Sequence, residues 1–197
     1  MTTPETSLVE VVDHLIKSRR TVRDFVSDSV DDSTLRELIE AAIWAPNHRM
    51  TEPWRFFVLK KGGNARKKVG DLVHAWTLEN TPNPNPKRKQ ASADSARDEL
   101  LDSPGLVYVY SLTGDSDEIS EENYAAVACA VQNLMLAAQV RGIGVGWSTG
   151  KVCKPTELAD TLGLVEPARI AGCLYIGYPS VEVSSSRGDS ASVTNWL

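Results

Sequence analysis

The stretch that decides the fold runs from Tyr124 to Trp147 and reads YAAVACAVQNLMLAAQVRGIGVGW. Its first part, up to Val140, is nearly all small or apolar, which predicts a central helix buried on several sides. Gly142 is then expected to end this helix as a left-handed cap, and residues 144–147 predict a short strand. A helix that is apolar on most sides needs partners around it, so the flanking sequence must supply a sheet and further helices.

The glycines of this stretch, Gly142, Gly144 and Gly146, do not form a dinucleotide-binding fingerprint. That fingerprint follows a strand and opens a helix, whereas here a helix is predicted before the glycines and a strand after them. Two interpretations remain open for Gly144 and Gly146. They let another part of the chain pack closely, or they form one wall of a cofactor site.

The remaining elements alternate irregularly between helix and strand. Ser7 and Glu10 form a capping-box pattern, and Ser33 or Thr34 with Glu37 forms a second one. Loops are expected at 81–89, where three prolines precede a basic cluster, and at the acidic residues 114–122. Without a strict alternation, these elements predict an α+β fold. Predicted helices cover residues 7–18, 33–45, 69–76 and 155–162, and predicted strands cover residues 54–59, 106–112 and 170–176.

Size and charge narrow the class of protein. The chain has 197 residues with 21 Lys and Arg and 26 Asp and Glu, a net charge of −5, and 42% hydrophobic residues. These values predict one globular domain, residues 1–197, with a polar tail at 180–197, and exclude collagen-like, coiled-coil and disordered chains. We expect no nucleic-acid partner because the chain is acidic. No apolar run reaches the roughly 18 residues of a membrane span, so we expect no membrane partner and a cytoplasmic location.

The three cysteines, Cys129, Cys153 and Cys173, are far apart and lie in apolar or mixed surroundings. Neither a Cys-x-x-Cys pair nor a histidine at ligand spacing accompanies them. We therefore expect three buried, unreactive thiols and no metal site.

A basic turn follows the first predicted helix, where Arg19, Arg20 and Arg23 fall within five residues. Two interpretations remain open. The turn is a solvated cluster at the negative end of the helix dipole, or it recognises phosphate, because planar guanidinium groups bind phosphate oxygens in pairs and the Thr21 hydroxyl can add a bond.

A second unusual segment, residues 45–57, reads APNHRMTEPWRFF. Polar groups stand there between a helix end and an aromatic strand, and loops of this kind often present side chains to a ligand. His48 has no Ser, Asp or Cys at a spacing that suggests a catalytic triad, and no catalytic residue is expected.

Four motifs occur in order along the chain: residues 19–25 (RRTVRDF), 45–48 with 53–57 (APNH and PWRFF), 142–147 (GIGVGW) and 174–179 (LYIGYP). Together they resemble the nitroreductase family of FMN enzymes over residues 7–179. The resemblance implies an α+β sandwich in which helices flank a mixed, mainly antiparallel sheet. It also implies a homodimer with one FMN in each of two interface pockets, and the tail that ends in Trp196 and Leu197 is expected to pack on the partner.

The resemblance assigns roles by position. The flavin phosphate and ribityl chain would be contacted by Arg19, Arg20 and Thr21. Arg23 would reach the pyrimidine edge. Trp44 and His48 would approach the cofactor across the interface, and residues 147–149 would line the flavin ring. Some relatives use a basic residue near the carboxyl end, where Arg187 is the candidate, but it is left outside the predicted set. The implied cofactor-binding residues are Arg19, Arg20, Thr21, Arg23, Trp44, His48, Trp147, Ser148 and Thr149.

The implied activity is transfer of electrons from NADH or NADPH through FMN to a flat acceptor such as a nitroaromatic or a quinone. Met50 and Glu52 stand where larger relatives often have Asn and Gln. Three alternatives therefore remain: a specialised flavin reaction such as dehalogenation or dehydrogenation, a non-catalytic flavin-sequestering protein, and an anion-binding module without flavin.

Overall fold

A four-stranded sheet forms the centre of the protein in the computed structural model, which describes residues 7–197. The helices are α1 (Leu8–Ser18), α2 (Asp32–Ala42), α3 (Asn64–Asn80), α4 (Pro86–Asp102), α5 (Asp117–Val140) and α6 (Leu158–Leu162). The strands are β1 (Trp54–Val58), β2 (Gly105–Leu112), β3 (Gly144–Ser148) and β4 (Ala168–Gly177).

The strands lie in the order β1-β2-β4-β3, and every neighbouring pair is antiparallel. One face of the sheet packs against α5 and α2, and the other face packs against α3, α4 and α6. Because side chains alternate along each strand, Val107 and Val109 of β2 face α5, whereas Tyr108 and Tyr110 face the opposite layer. The predicted α+β fold with a mainly antiparallel sheet is confirmed.

Helix α5 is the predicted central helix. Its buried residues follow one another at intervals of three and four, as in Val127, Ala130, Val131 and Leu134, and they join α2 to the sheet. The helix starts earlier than predicted, because the Ser116 side chain caps it by accepting a hydrogen bond from the backbone N–H of residue 119. The predicted acidic loop at 114–122 is therefore largely wrong: acidic residues favour the positive end of a helix dipole.

Helix α4 was not predicted, and its first turn replaces residues 86–89 of the expected loop, whereas residues 81–85 connect α3 to α4. The Asn85 side chain accepts from the backbone N–H groups of Lys87 and Arg88, and Pro86 occupies the first turn. Proline is tolerated there because its missing N–H would have no helical partner. The start of α2 also differs from the prediction. Its cap is Asp31 rather than Ser33 or Thr34, because the Asp31 side chain accepts a hydrogen bond from the backbone N–H of Thr34. Helix α6 begins at Leu158, after a turn at residues 155–157.

The glycines after α5 have the packing role, and Gly144 also lines the cavity beside β3 that is described below. Gly142 has φ +69°, as a left-handed cap requires. A Cβ atom on Gly144 would lie 2.7 Å from the Val22 side chain, and one on Gly146 would overlap the Val22 carbonyl oxygen. The segment that carries the basic turn therefore rests directly on β3, and a parallel bridge joins Thr21 to Val145.

The cysteine prediction is correct for two of three residues. Cys153 and Cys173 are buried between the sheet and α6, and burial raises the pKa of both thiols, to about 12 for Cys153. Cys129 is exposed, because it lies on the side of α5 that faces away from the sheet. Within residues 7–197 no group of three or more His, Cys, Asp or Glu side chains could hold a metal ion. None of the described helices is both long and apolar enough to span a membrane.

Arg66 of α3 is the largest fully buried side chain among the described residues, with 1% exposure. Its guanidinium donates to the carbonyl oxygens of Leu100 (2.6 Å), Ser103 and Leu59 (3.4 Å). Burial lowers its pKa. One side chain thus joins α3 to the end of α4 and to the residue that follows β1.

We expect Arg66→Met to lower the free energy of unfolding by about 3 kcal/mol, because buried carbonyl groups lose their donors at roughly 1–3 kcal/mol each. Urea denaturation followed by circular dichroism measures the change. The matched control is Arg88→Met at an exposed position of α4, which should stay within about 0.5 kcal/mol of the unchanged protein. Equal losses in the two variants would contradict this role of Arg66.

Candidate functional site

A cavity of about 430 Å³ lies beside β3, at the edge where the basic turn bridges to Val145. Arg19 and Arg20 line one side, and Met135 and Gln139 of α5 line another. Carboxyl-terminal residues 181–183 close a third side. The structure thus brings the beginning and the end of the described chain together around one space.

The two arginines of this cavity carry buried donors that have no hydrogen-bond partner within residues 7–197: Nε and Nη1 of Arg19, and Nε of Arg20. The other Arg20 nitrogens are fixed by the carbonyl oxygens of Lys17 (2.6 Å), Arg19 (2.8 Å) and Ser185 (2.8 Å). Buried donors without acceptors are unfavourable, so this arrangement is suited to a ligand that supplies acceptor oxygens.

The charge around the cavity has the same implication. The pKa of Arg19 is lowered, first by burial and then by the positive charges of Arg187 and Arg20. Arg19 and Arg20 are partly buried, and the exposed Arg187 adds positive charge near them. Guanidinium groups that repel one another favour an anion, and phosphate oxygens match their paired donors. Of the two interpretations of the basic turn, this geometry favours phosphate recognition for Arg19 and Arg20.

Arg187 was left outside the predicted set, and the structure brings it to the basic turn. Its own side chain is held by the Ser185 hydroxyl (3.1 Å) and the Ser186 carbonyl (3.2 Å). In the sequence, nothing distinguishes Arg187 except that it is a basic residue in a polar tail. Contact between residues more than 160 positions apart is a tertiary feature that local pattern does not contain.

Two other residues of the basic turn do not line this cavity. Thr21 is exposed and is tied to β3 by its backbone bridge to Val145. Arg23 does not line the cavity of Arg19 and Arg20 but a separate groove with Asp24. Its contact with the flavin pyrimidine edge stays a prediction.

The residues at the end of β3 are not part of this cavity. Trp147 is half-buried, packs against the core between the sheet and α5, and donates from Nε1 to the Ala171 carbonyl (3.0 Å). Ser148 is half-buried and Thr149 is exposed. Their predicted contact with the flavin ring is untested by the structure of one protomer.

His48 lies far from the cavity, and Trp44 does not line it. Trp44 is 79% exposed, and His48 Nδ1 is 3.3 Å from Glu122 Oε1. Glu122 belongs to the first turns of α5, whereas Gln139, which lines the cavity, belongs to its last. At 1.5 Å per residue, Glu122 is about 25 Å from Gln139 and about 20 Å from Met135, the other α5 residue of the cavity, so within one protomer His48 does not reach the cavity.

The loop around His48 is strained and firmly held. Arg49, Met50 and Glu52 have positive φ angles of 60°, 52° and 44°, which non-glycine residues rarely adopt. Thr51 Oγ1 donates to the buried Asn123 Oδ1 (2.7 Å), and Arg49 Nε is 3.8 Å from Glu122 Oε2. Strain of this kind persists where surrounding contacts impose it, and it concentrates at ligand sites. The sequence marked this loop as unusual but did not reveal the roles of Arg49 and Glu122.

A patch of exposed apolar side chains covers α1. The helix buries none of its residues, and the exposed fractions of its apolar residues reach 78% at Leu8 and 53% at Ile16. Trp196 in the tail is 93% exposed. A contiguous exposed apolar face of this kind marks a surface for contact with another protein chain.

Comparison with known proteins identifies the family. The model of the nitroreductase family matches residues 16–178, which include the basic turn, the strained loop and the whole sheet. The chain belongs to the nitroreductase family. "Putative NAD(P)H nitroreductase YfhC" of Bacillus subtilis (strain 168) is 31% identical over 170 residues, which cover 86% of this chain and 84% of YfhC.

Solved structures of family members share the fold. A nitroreductase-like family protein from Bacillus cereus superposes with a TM-score of 0.82 at 29% identity, over 100% of this chain and 99% of that one. The FMN-dependent nitroreductase NfnB from Mycobacterium smegmatis, solved in complex with NADPH, gives a TM-score of 0.74 at 19% identity over 97% of this chain and 100% of its own. This nitroreductase-family chain thus has the complete fold of its relatives.

Proposed function

We propose that this nitroreductase-family protein binds FMN and passes electrons from NADH or NADPH through it to a small flat acceptor such as a nitroaromatic or a quinone. One observation carries the proposal: three buried guanidinium donors of Arg19 and Arg20 find no acceptor within residues 7–197, and Arg187 adds a third positive charge near them. The FMN and NADPH named for NfnB support it.

The residues of the cavity fit the cofactor's phosphate end. Arg19 and Arg20 would bind the phosphate oxygens, with Arg187 closing the site from the tail. Val145 and Val183 supply apolar surface next to these charges. When bound, FMN supplies the redox chemistry itself, so the chain needs no nucleophile or catalytic triad. What the protein adds is a fixed position for the cofactor and a site in which the phosphate charge is matched.

We infer that the second half of each site comes from a partner copy. Glu122, which His48 contacts, lies about 20 Å along α5 from Met135, the nearest α5 residue of the Arg19–Arg20 cavity. Trp44 and Met50 are exposed to solvent. A homodimer that covers the apolar face of α1 would bring the loop of one protomer toward the cavity of the other. Glu122 and Asn123 would then hold that loop in its strained form before the cofactor arrives.

Replacing the phosphate-binding arginines tests the proposal. Arg19→Ala, Arg20→Ala and Arg187→Ala should each weaken FMN binding about ten- to hundredfold, since a charge-assisted hydrogen bond contributes about 1.5–3 kcal/mol. Quenching of FMN fluorescence gives the dissociation constant. The matched control, Arg36→Ala on the exposed side of α2, should leave it unchanged. If all four variants bind FMN with the affinity of the original protein, the phosphate site is elsewhere.

The dimer makes a separate prediction. Ile16→Glu places a charge on the apolar face of α1 and should raise the dimer dissociation constant by about tenfold or more, as a buried interface residue would. FMN affinity should fall with it, because the site then loses the partner's loop. Sedimentation velocity at several concentrations measures the first effect. Val165→Glu, at an exposed position outside α1, is the control, and a monomeric original protein with full FMN affinity would contradict the shared site.

Electron transfer is tested by anaerobic mixing with NADH and, separately, NADPH. We expect at least one of them to bleach the visible absorbance of the bound flavin, and nitrofurazone or p-benzoquinone to restore it. A protein that only sequesters flavin would keep the oxidised spectrum. That result would leave FMN binding intact and remove the oxidoreductase assignment.

A further inference from the structure

A groove of about 590 Å³ lies on the other side of the basic turn from the Arg19–Arg20 cavity. It is bounded by residues 23–27, by the last turn of α4 and by the residues that lead into β2. None of its lining residues also lines the cavity. The groove is therefore a second concave surface, separated from the first by the backbone of the basic turn.

Charged side chains of both signs line this groove and stay apart. Arg23 and Lys61 are cationic, and Asp24, Glu99 and Asp102 are anionic. Among the described residues, 7–197, none of these five side chains has an ion-pair partner within 4.0 Å. By contrast, Asp71 and Arg97 on the neighbouring surface of α3 and α4 pair at 2.9 Å. The groove thus offers cationic and anionic groups that are free to meet a ligand.

A buried hydroxyl group points to a ligand independently of these charges. Tyr175 of β4 lines the groove although it is only 3% exposed, and its hydroxyl has no hydrogen-bond partner among residues 7–197. Tyr108, in the same layer, donates to the Val152 carbonyl at 3.0 Å. Burial raises the pKa of Tyr175, so its hydroxyl stays protonated and is available as a donor.

We propose that this groove binds a small zwitterion with an apolar body, of the class of free α-amino acids with an aliphatic side chain. A ligand with a carboxylate alone would face Asp24, Glu99 and Asp102 without compensation, and an amine alone would face Arg23 and Lys61. A zwitterion satisfies both signs, and its carboxylate gives the Tyr175 hydroxyl an acceptor.

The remaining wall of the groove suits the body of such a molecule. Phe25, Val26 and Pro104 supply apolar surface between the charged groups. Small-molecule sites commonly combine an apolar lining with a few polar groups that fix orientation. The proposal does not depend on the phosphate assignment, which concerns the opposite side of the basic turn. Arg23 is the one groove residue that is also a predicted flavin contact, and the proposal assigns it to the carboxylate of the zwitterion instead.

Three probes with the same isobutyl group test the charge requirement: L-leucine, 4-methylpentanoate, which lacks the amine, and 3-methylbutylamine, which lacks the carboxylate. Calorimetric titration of the full chain without added flavin should show saturable binding of L-leucine, at least about tenfold tighter than either analogue. Absence of saturable L-leucine binding, or equal affinity for the three probes, would overturn the proposal.

A conservative variant with a matched control tests the position of the site. Tyr175→Phe should weaken L-leucine binding about three- to tenfold, as loss of one hydrogen bond does, while Tyr178→Phe, outside the groove, should not. Lys61→Met removes a cation that would bind the carboxylate, so it should remove the preference for L-leucine over 3-methylbutylamine. Glu99→Gln removes an anion that would bind the amine, so it should remove the preference for L-leucine over 4-methylpentanoate. Both positions are exposed, so the fold should persist. Unchanged L-leucine affinity in Tyr175→Phe, or unchanged preferences in both charge variants, would place the ligand elsewhere.

Discussion

The close contact between Val22 and the glycines of β3 determines where Arg19, Arg20 and Arg23 lie. Side chains at Gly144 and Gly146 would collide with Val22, so only glycine lets the basic turn lie flat on the strand. On one side of that contact Arg19 and Arg20 face a cavity, and on the other Arg23 faces a groove. Both proposed sites therefore depend on two positions that carry no functional group.

Much of the fold follows from apolar pattern because burial produces it. Helix α5 and the strands are runs of apolar residues that the sheet and its neighbours bury, and the sequence predicted each of them. Helix α4 has no such pattern: only Ala93 and Leu100 are buried in it. Its start depends on the Asn85 cap and its position on packing against α3, and neither effect leaves an apolar stripe.

The candidate site was partly predictable for a related reason. Arg19 and Arg20 stand out because three like charges within a few residues are unusual, and the structure brings those two together at one cavity. The position of Arg187 near Arg19 and the contact of Glu122 with His48 depend on packing between distant segments. The positive φ angles near Met50 are equally invisible, since those residues have no sequence preference for such a conformation.

The meeting of both chain ends at one cavity has a consequence for biosynthesis. Arg20 leaves the ribosome early, whereas Ser185, whose carbonyl fixes it at 2.8 Å, and Arg187 follow more than 160 residues later. Until those residues have emerged, the nascent chain lacks the carbonyl that fixes Arg20 and the charge of Arg187. If these groups hold the phosphate as proposed, stable binding of the coenzyme has to wait for the docking of residues 181–187.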